Sequence, residues 1–264
     1  MSILKRNTAP ISEKAWTEID NRAIDVIKSL ISTRRVLKVN GPKGLDYTAL
    51  PIGRLDHVDD LKAINVVKTG IYKTQNLIES RIEFELDKAE LDNVERGSKD
   101  VELFNLEKAM EKLLVFEEET IYNGMEKFGI EGIKKSAGHN LSLGENGNEI
   151  LKAIGDGKYA LHNSYAKGPF DLIVPSKVYD KINTIYDGVF LMKLIEDLIG
   201  GTIVRTKVLD KALMIPHRDE DLELTIGQDF SIGYVGENEK AVRLFAFETF
   251  TFRILDNMKI VLFS

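Results

Sequence analysis

Four histidines, a run of three glutamates and two glycine-flanked motifs are the residues of this chain whose types could do chemistry. His57, His139, His162 and His217 are the candidate metal ligands and general bases. No two of them stand three or four residues apart, and none completes a Glu-x-x-His pair. A di-iron carboxylate site therefore has no local signature. Neither an HExxH helix nor a Walker A loop occurs. Glu117-Glu118-Glu119 offers carboxylates for a metal or for acid–base work. It lies in a helical pattern, however, where successive side chains diverge by about 100° and do not converge on one ion. Gly155-Asp156-Gly157 is half of a dinucleotide fingerprint, placed after a helix where the fingerprint requires a strand. Asp229-Phe230-Ser231-Ile232-Gly233 imitates only the end of a Gly-x-Ser-x-Gly elbow, and Asp219-Glu220-Asp221 reads as a solvated turn. Triad members need not be neighbours in sequence, so a serine hydrolase stays open at this point. The motifs themselves make a poor enzyme.

The elements that would position these residues are clearer. Lys5 and Arg6 belong to a short arm ending at Pro10, with no apolar run of the signal-peptide kind behind them. Ser12 caps the next helix and Glu13 favours its first turn. Trp16, Ile19, Ala23, Ile27 and Leu30 recur at helical steps and form one apolar stripe. Short strands broken at Gly41-Pro42, Gly44 and Pro51 follow. From Leu61 to Leu86 the Val/Ile-rich, charge-alternating pattern predicts a long ribbon, including Ile64-Asn65-Val66-Val67-Lys68 and Arg81–Leu86. Too few large apolar residues face each way for it to stand alone, so it packs on something else, another subunit included. Leu106, Ala109, Leu113, Phe116 and Ile121 predict a helix over 104–127.

Residues 128–200 read as an α/β block: a helix over 146–164 weakened by Gly155 and Gly157, a buried strand from Phe170 to Val174, and helices flanking Tyr186–Phe190. Gly200-Gly201 is a sharp stop before a strand at Thr202–Thr206. In the tail, Val242, Leu244, Ala246, Phe250, Phe252 and Ile254 share one face with Glu248, a charge that needs an arginine partner if it is buried. The order of elements suggests an α+β architecture with an inserted subdomain.

Composition bounds the class. The chain has 264 residues, 43% hydrophobic and 30% charged, with ample material for a core. Net charge of −6 disfavours non-specific nucleic-acid binding, although Lys5, Arg6, Arg34 and Arg35 allow a local basic face. The absence of cysteine removes disulfides, thiolate metal sites and a thiol nucleophile, and it fits a reducing interior. No run approaches 18 apolar residues, so no membrane span is expected and the cytoplasm is the expected address.

Blocks at both ends and between them resemble the encapsulin shell proteins of bacterial nanocompartments, a linocin/bacteriocin-type family related to the major capsid proteins of tailed phages. They include Leu4-Lys5-Arg6, Ala9-Pro10, Trp16, Glu18-Ile19-Asp20-Asn21-Arg22-Ala23, Gly41-Pro42, Glu90-Leu91-Asp92-Asn93, Glu95-Arg96-Gly97, Gly227-Gln228-Asp229, Ser231–Tyr234, Ala241–Phe245 and Glu248–Phe252. Their order and spacing extend over nearly the whole chain. The resemblance implies the capsid fold with an N-terminal arm and helix on the inner face (1–34), a peripheral domain (35–127 and 226–264) and an axial domain (128–225). An extended loop at about 50–80 would overlap a neighbour. It further implies a non-catalytic, closed homo-oligomeric shell of about 60 copies, with cargo held by a C-terminal peptide and drawn from iron-storage or oxidative-stress proteins.

On this resemblance the cargo-peptide site would comprise Ile27, Leu30, Arg34, Asp229, Phe230 and Ile232. Apolar anchors with two opposite charges suit a short peptide carrying one or two hydrophobic side chains. A pore constriction would fall at Tyr186, Asp187, Gly188 and Val189, admitting ions and small molecules while retaining protein. Two departures stand out. Lys38 replaces an acidic residue of some relatives, which alters the charge pattern read on cargo tails. Ala89 stands where one branch has a flavin-stacking tryptophan, so no flavin is expected there, and no metal or other cofactor. The competing readings are a phage or prophage capsid protein on the same fold, opposed by a chain that begins almost at the folded helix, and a secreted bacteriocin-like hydrolase.

Overall fold

The computed structural model describes residues 3–57 and 69–264. Ile64–Lys68 of the expected ribbon lies outside the described residues. In chain order the elements are α1 (Glu13–Leu30), α2 (Thr33–Val36), β1 (Lys38–Asn40), β2 (Ala49–His57), β3 (Gly70–Asn76), β4 (Ile78–Asp87), α3 (Lys88–Arg96), α4 (Phe104–Tyr122), α5 (Ile133–Ser136), β5 (His139–Leu141), α6 (Gly147–Asn163), β6 (Phe170–Pro175), α7 (Ser176–Ile182), β7 (Ile185–Tyr186), β8 (Val189–Phe190), α8 (Leu191–Ile199), β9 (Gly200–Thr206), β10 (Ala212–Pro216), β11 (Leu222–Ile226), β12 (Ser231–Glu237), β13 (Ala241–Ile254) and β14 (Val261–Phe263).

Two five-stranded sheets organise the chain. In the first, β13 is the long central strand: β4 runs antiparallel along one edge, β12 and then β11 along the other, and β1 joins β11 in parallel. Helices α1 and α4 cover this sheet, burying Trp16, Ile19, Leu106 and Met110 against Phe84, Leu244 and Ala246. Each such side chain contributes roughly 1.5–3 kcal/mol when fully buried. The second sheet has the order β5–β14–β10–β6–β9, with α6 and α8 packed on it. Strand pairing crosses the expected boundary at 225/226 twice, because β11 pairs in the first sheet and β14 in the second. A shared core including Val36, Ile121, Ile173, Leu213 and Phe250 joins the two.

Several expectations are adjusted. The expected ribbon segment Arg81–Leu86 is instead part of β4 in the first sheet, where its alternation lets Phe84 and Leu86 fill the core and β13 supplies the ladder partner. The ribbon itself is β2–β3, a two-stranded sheet with no third strand among the described residues. Helix α4 stops at Tyr122, short of residue 127. Gly124 adopts φ +85°, and a Cβ there would lie 2.5 Å from the Gly132 nitrogen, so the chain reverses where a helix cannot continue. In α6, Gly157 is a contact point rather than a weakness, since a Cβ there would meet Met214 and Phe263 at 2.7 and 2.8 Å.

Candidate functional site

Ser12 starts α1 as expected, its hydroxyl accepting from the Ala15 amide at 3.2 Å. The helix turns Trp16, Ile19 and Ala23 into the core and leaves Ile24 and Ile27 on one flank, facing β12 across an open groove. Ile24, Ile27 and Ala23 from α1, Met110 from α4, and Phe230 and Ile232 line this groove, whose volume is about 300 Å³. Ile24 is 44% exposed.

The N-terminal arm closes one end. Leu4 lines the groove and its carbonyl accepts from the Tyr234 amide at 2.8 Å. Arg6 donates to both oxygens of Asp20, at 2.9 and 2.8 Å, and stacks 4.0 Å from the Trp16 ring centroid. Its charge and that of Asp20 therefore cancel at the rim, and the walls between are apolar. Such a site receives hydrophobic side chains and leaves polar recognition to its edges.

Three of the six residues expected to form a peptide site meet here: Ile27, Phe230 and Ile232. The other three do not line this groove. Leu30 lies in a separate cleft against α4 and β9. Arg34 is engaged internally: it donates to Glu117 at 2.6 and 3.0 Å, to Glu248 at 2.7 Å and to Asp229 at 2.6 Å, and lies 4.3 Å from the Phe230 ring centroid. Asp229 is the third carboxylate of that cluster and the half-exposed one, so the cluster reaches the surface beside Phe230. Ile24, Met110, Leu4 and the Arg6–Asp20 pair were not anticipated; Ile24 follows the stripe residue Ala23 by one, a spacing that places it at the stripe's margin.

The cluster has unusual electrostatics. Glu117 and Glu248 are both 0% exposed. Burial opposes the charge on Arg34, but Glu117, Glu248 and Asp229 outweigh it and tighten its hold on the proton. Burial, and then the charge of Glu117, pushes the Glu248 carboxyl well above the ordinary carboxylate value, against the pull of Arg34. Burial also raises Glu118, opposed by hydrogen bonds from the Ser32 and Thr206 hydroxyls. The three consecutive glutamates thus diverge, to Arg34, to Ser32 and Thr206, and to Asn123. Among the described residues no group of three or more His, Cys, Asp or Glu side chains could hold a metal.

The expected pore residues form a tight hairpin. Tyr186 pairs with Val189 across a two-residue turn in which Asp187 and Gly188 have φ +47° and +80°. Positive φ at both positions is the signature of a type I′ turn, for which Asp-Gly is a preferred sequence. The Tyr186 hydroxyl donates to Asn148 and its ring packs against Gly147 of α6, which anchors the hairpin base. Lys38 stands 3.8 Å from Glu220, at the start of β1. Ala89 lies in the first turn of α3, its amide bound by the Asp87 carboxylate at 2.8 Å.

The family described as an encapsulating protein for peroxidase matches residues 1–251 of this chain. The chain belongs to the encapsulin shell-protein family. It is 33% identical over 254 residues to the type 1 encapsulin shell protein of Mycobacterium tuberculosis, covering 96% of this chain and 95% of that one. The corresponding encapsulin of Rhodococcus erythropolis is 30% identical over 263 residues, with 99% of each chain covered. A virus-like particle from Pyrococcus furiosus superposes with a TM-score of 0.70 at 20% identity, over 94% of this chain and 99% of the other. The capsid of the myovirus XM1 superposes with a TM-score of 0.56 at 13% identity, over 100% and 98%. The encapsulin fold is therefore the capsid fold, and encapsulins are structural proteins that assemble into particles rather than enzymes.

Proposed function

We propose that this encapsulin builds a closed shell of about 60 copies in the cytoplasm, and that its inner wall captures cargo through the groove between α1 and β12. The observation that carries this reading is the groove itself: exposed Ile24 and half-buried Ile27 facing Phe230 and Ile232 across about 300 Å³, with no apolar segment of the described chain filling it. Its occupant would be a short C-terminal peptide of the cargo, anchored by one or two aliphatic side chains. The family description points to peroxidase as one cargo class, and iron-storage proteins are a second. The β7–β8 hairpin would line the narrowest passage on a symmetry axis, where the Asp187 carboxylate meets entering solutes.

The test is co-expression with a fluorescent protein that carries the C-terminal tail of a peroxidase or ferritin-like protein encoded beside this chain. Ile24→Asp and Phe230→Ala should each leave particles intact while lowering particle-associated fluorescence by an order of magnitude or more, since truncating a buried anchor costs about 2 kcal/mol or above. Undiminished loading in both variants would remove the groove from cargo capture.

A further inference from the structure

A second cleft, of about 340 Å³, opens where the end of α1 meets α4 and β9. Five consecutive residues, 203–207, line it. Side chains of a strand alternate between faces, so an unbroken run reaches one cleft only when the strand turns its backbone edge toward it. Among the described residues strand β9 is terminal in its sheet and pairs on one side only, with β6. Among the described residues, no backbone–backbone hydrogen bond outside that pairing involves residues 203–206. An open edge of this kind is a template for an added strand.

Charge says what kind of strand. Arg205 projects from the exposed face of β9, between the buried Val204 and Thr206. Its guanidinium lies 5.7 Å from the Tyr179 ring centroid, and it forms no ion pair among the described residues. Arg35, also lining the cleft, donates to the Lys28 carbonyl and likewise has no carboxylate partner among the described residues. The other ionisable groups of the cleft already have partners: Lys207 binds Glu111 at 2.8 Å, and Glu118 accepts from the Ser32 and Thr206 hydroxyls. Two unpaired guanidiniums thus face one cleft in a chain of net charge −6. Leu30, Leu114 and Val115 supply its apolar wall.

We infer that this cleft is a second docking site, which adds an extended acidic segment of an enclosed protein to the edge of β9. The inference rests on the container role proposed above but not on the α1–β12 groove. An added strand shares the pleat of its neighbour, so a carboxylate placed to meet Arg205 shares its face with every second residue of the added segment, and the residues between turn to the opposite face. The partner is therefore a segment of alternating acidic and aliphatic residues.

The experiment uses the full chain, co-expressed with a fluorescent protein ending in a flexible tail of alternating Glu and Val, or of alternating Lys and Val. Wild-type particles should carry the Glu–Val fusion roughly tenfold above the Lys–Val fusion, and Arg205→Gln should lower it several-fold, as for loss of one charge-assisted contact. The double variant Arg35→Glu/Arg205→Glu should reverse the preference. Ile24→Asp should leave Glu–Val loading unchanged, which separates failure of the groove reading from failure of this one. Equal loading of the two tails, or Glu–Val loading that survives charge reversal, would overturn the inference. Loss of particles in both Arg205 variants would also overturn it, by giving the edge to a neighbouring subunit.

Discussion

Arg34 holds one positive charge among Glu117, Glu248 and Asp229, and this imbalance makes it the residue on which the groove wall depends. Replacing Arg34 with Met would leave two fully buried carboxyls without their cation. The expected cost is about 3–5 kcal/mol, measured as a fall in the denaturation midpoint together with loss of order at Phe230. Glu248 also makes stability depend on pH. Its folded-state value lies above the ordinary 4.5, so the folded chain keeps this proton while the unfolded chain releases it. Stability is therefore full below 4.5 and falls as pH rises toward the folded value; Glu118 acts in the same direction. Glu248→Gln should flatten that decline, and denaturation midpoints across the acidic-to-neutral range would show it. No flattening would mean that Glu248 is ionised in the fold. The need for an arginine opposite Glu248 was legible from an acid on an apolar strand face. Which arginine was not, because Arg34 is 214 residues away.

Elements carry their own instructions where local chemistry is strong. Ser12 before an apolar stripe marks the start of α1, and Asp187-Gly188 between short strands marks a hairpin. Gly188 tests the second. A Cβ at that position meets nothing within 4 Å, so a substitution there is penalised by backbone strain alone. Gly188→Val should cost about 1–2 kcal/mol and still assemble; calorimetry of intact particles would report the shift, and a failure to assemble would show that the tip also packs against neighbours. Periodicity was a poorer guide to where α4 ends. Its stripe continues in sequence, but the close approach of Gly124 to Gly132 belongs to the tertiary fold. The same holds for β4, whose alternation resembles that of a free ribbon until β13 is placed beside it.

At the scale of the molecule, the β2–β3 ribbon is an element without a core. Ile71 is 67% exposed and Tyr72 78%, and two strands alone are marginal in water. We propose that in the assembled shell these side chains find cover on another copy. Ile71→Asp/Tyr72→Asp should therefore leave the helices and the two main sheets folded, as judged by circular dichroism, while light scattering shows small species in place of particles. Particles of normal size would place the inter-subunit contacts elsewhere. Because every copy contributes the same ribbon, a modest loss per contact is multiplied over the whole shell, and assembly should fail more sharply than folding.

The chain's kinship, its mixed α+β class and its lack of local catalytic signatures were all determined by sequence alone, because ordered blocks and motif spacings are properties of the linear chain. So were the cap of α1 and the Asp187-Gly188 turn, which depend on neighbours only a few residues away. The tertiary structure decided the rest. It placed Ile24 and Met110 beside Ile27, Phe230 and Ile232, joined Arg34 to Asp229 beside the Phe230 ring, and moved Leu30 into the cleft at β9. It also sent β14 into the second sheet and, among the described residues, left one edge of β9 without a paired strand. Each of these is a contact between segments far apart in the chain. Helical and strand periodicities say which face of an element is apolar, but only packing says which other element that face will meet.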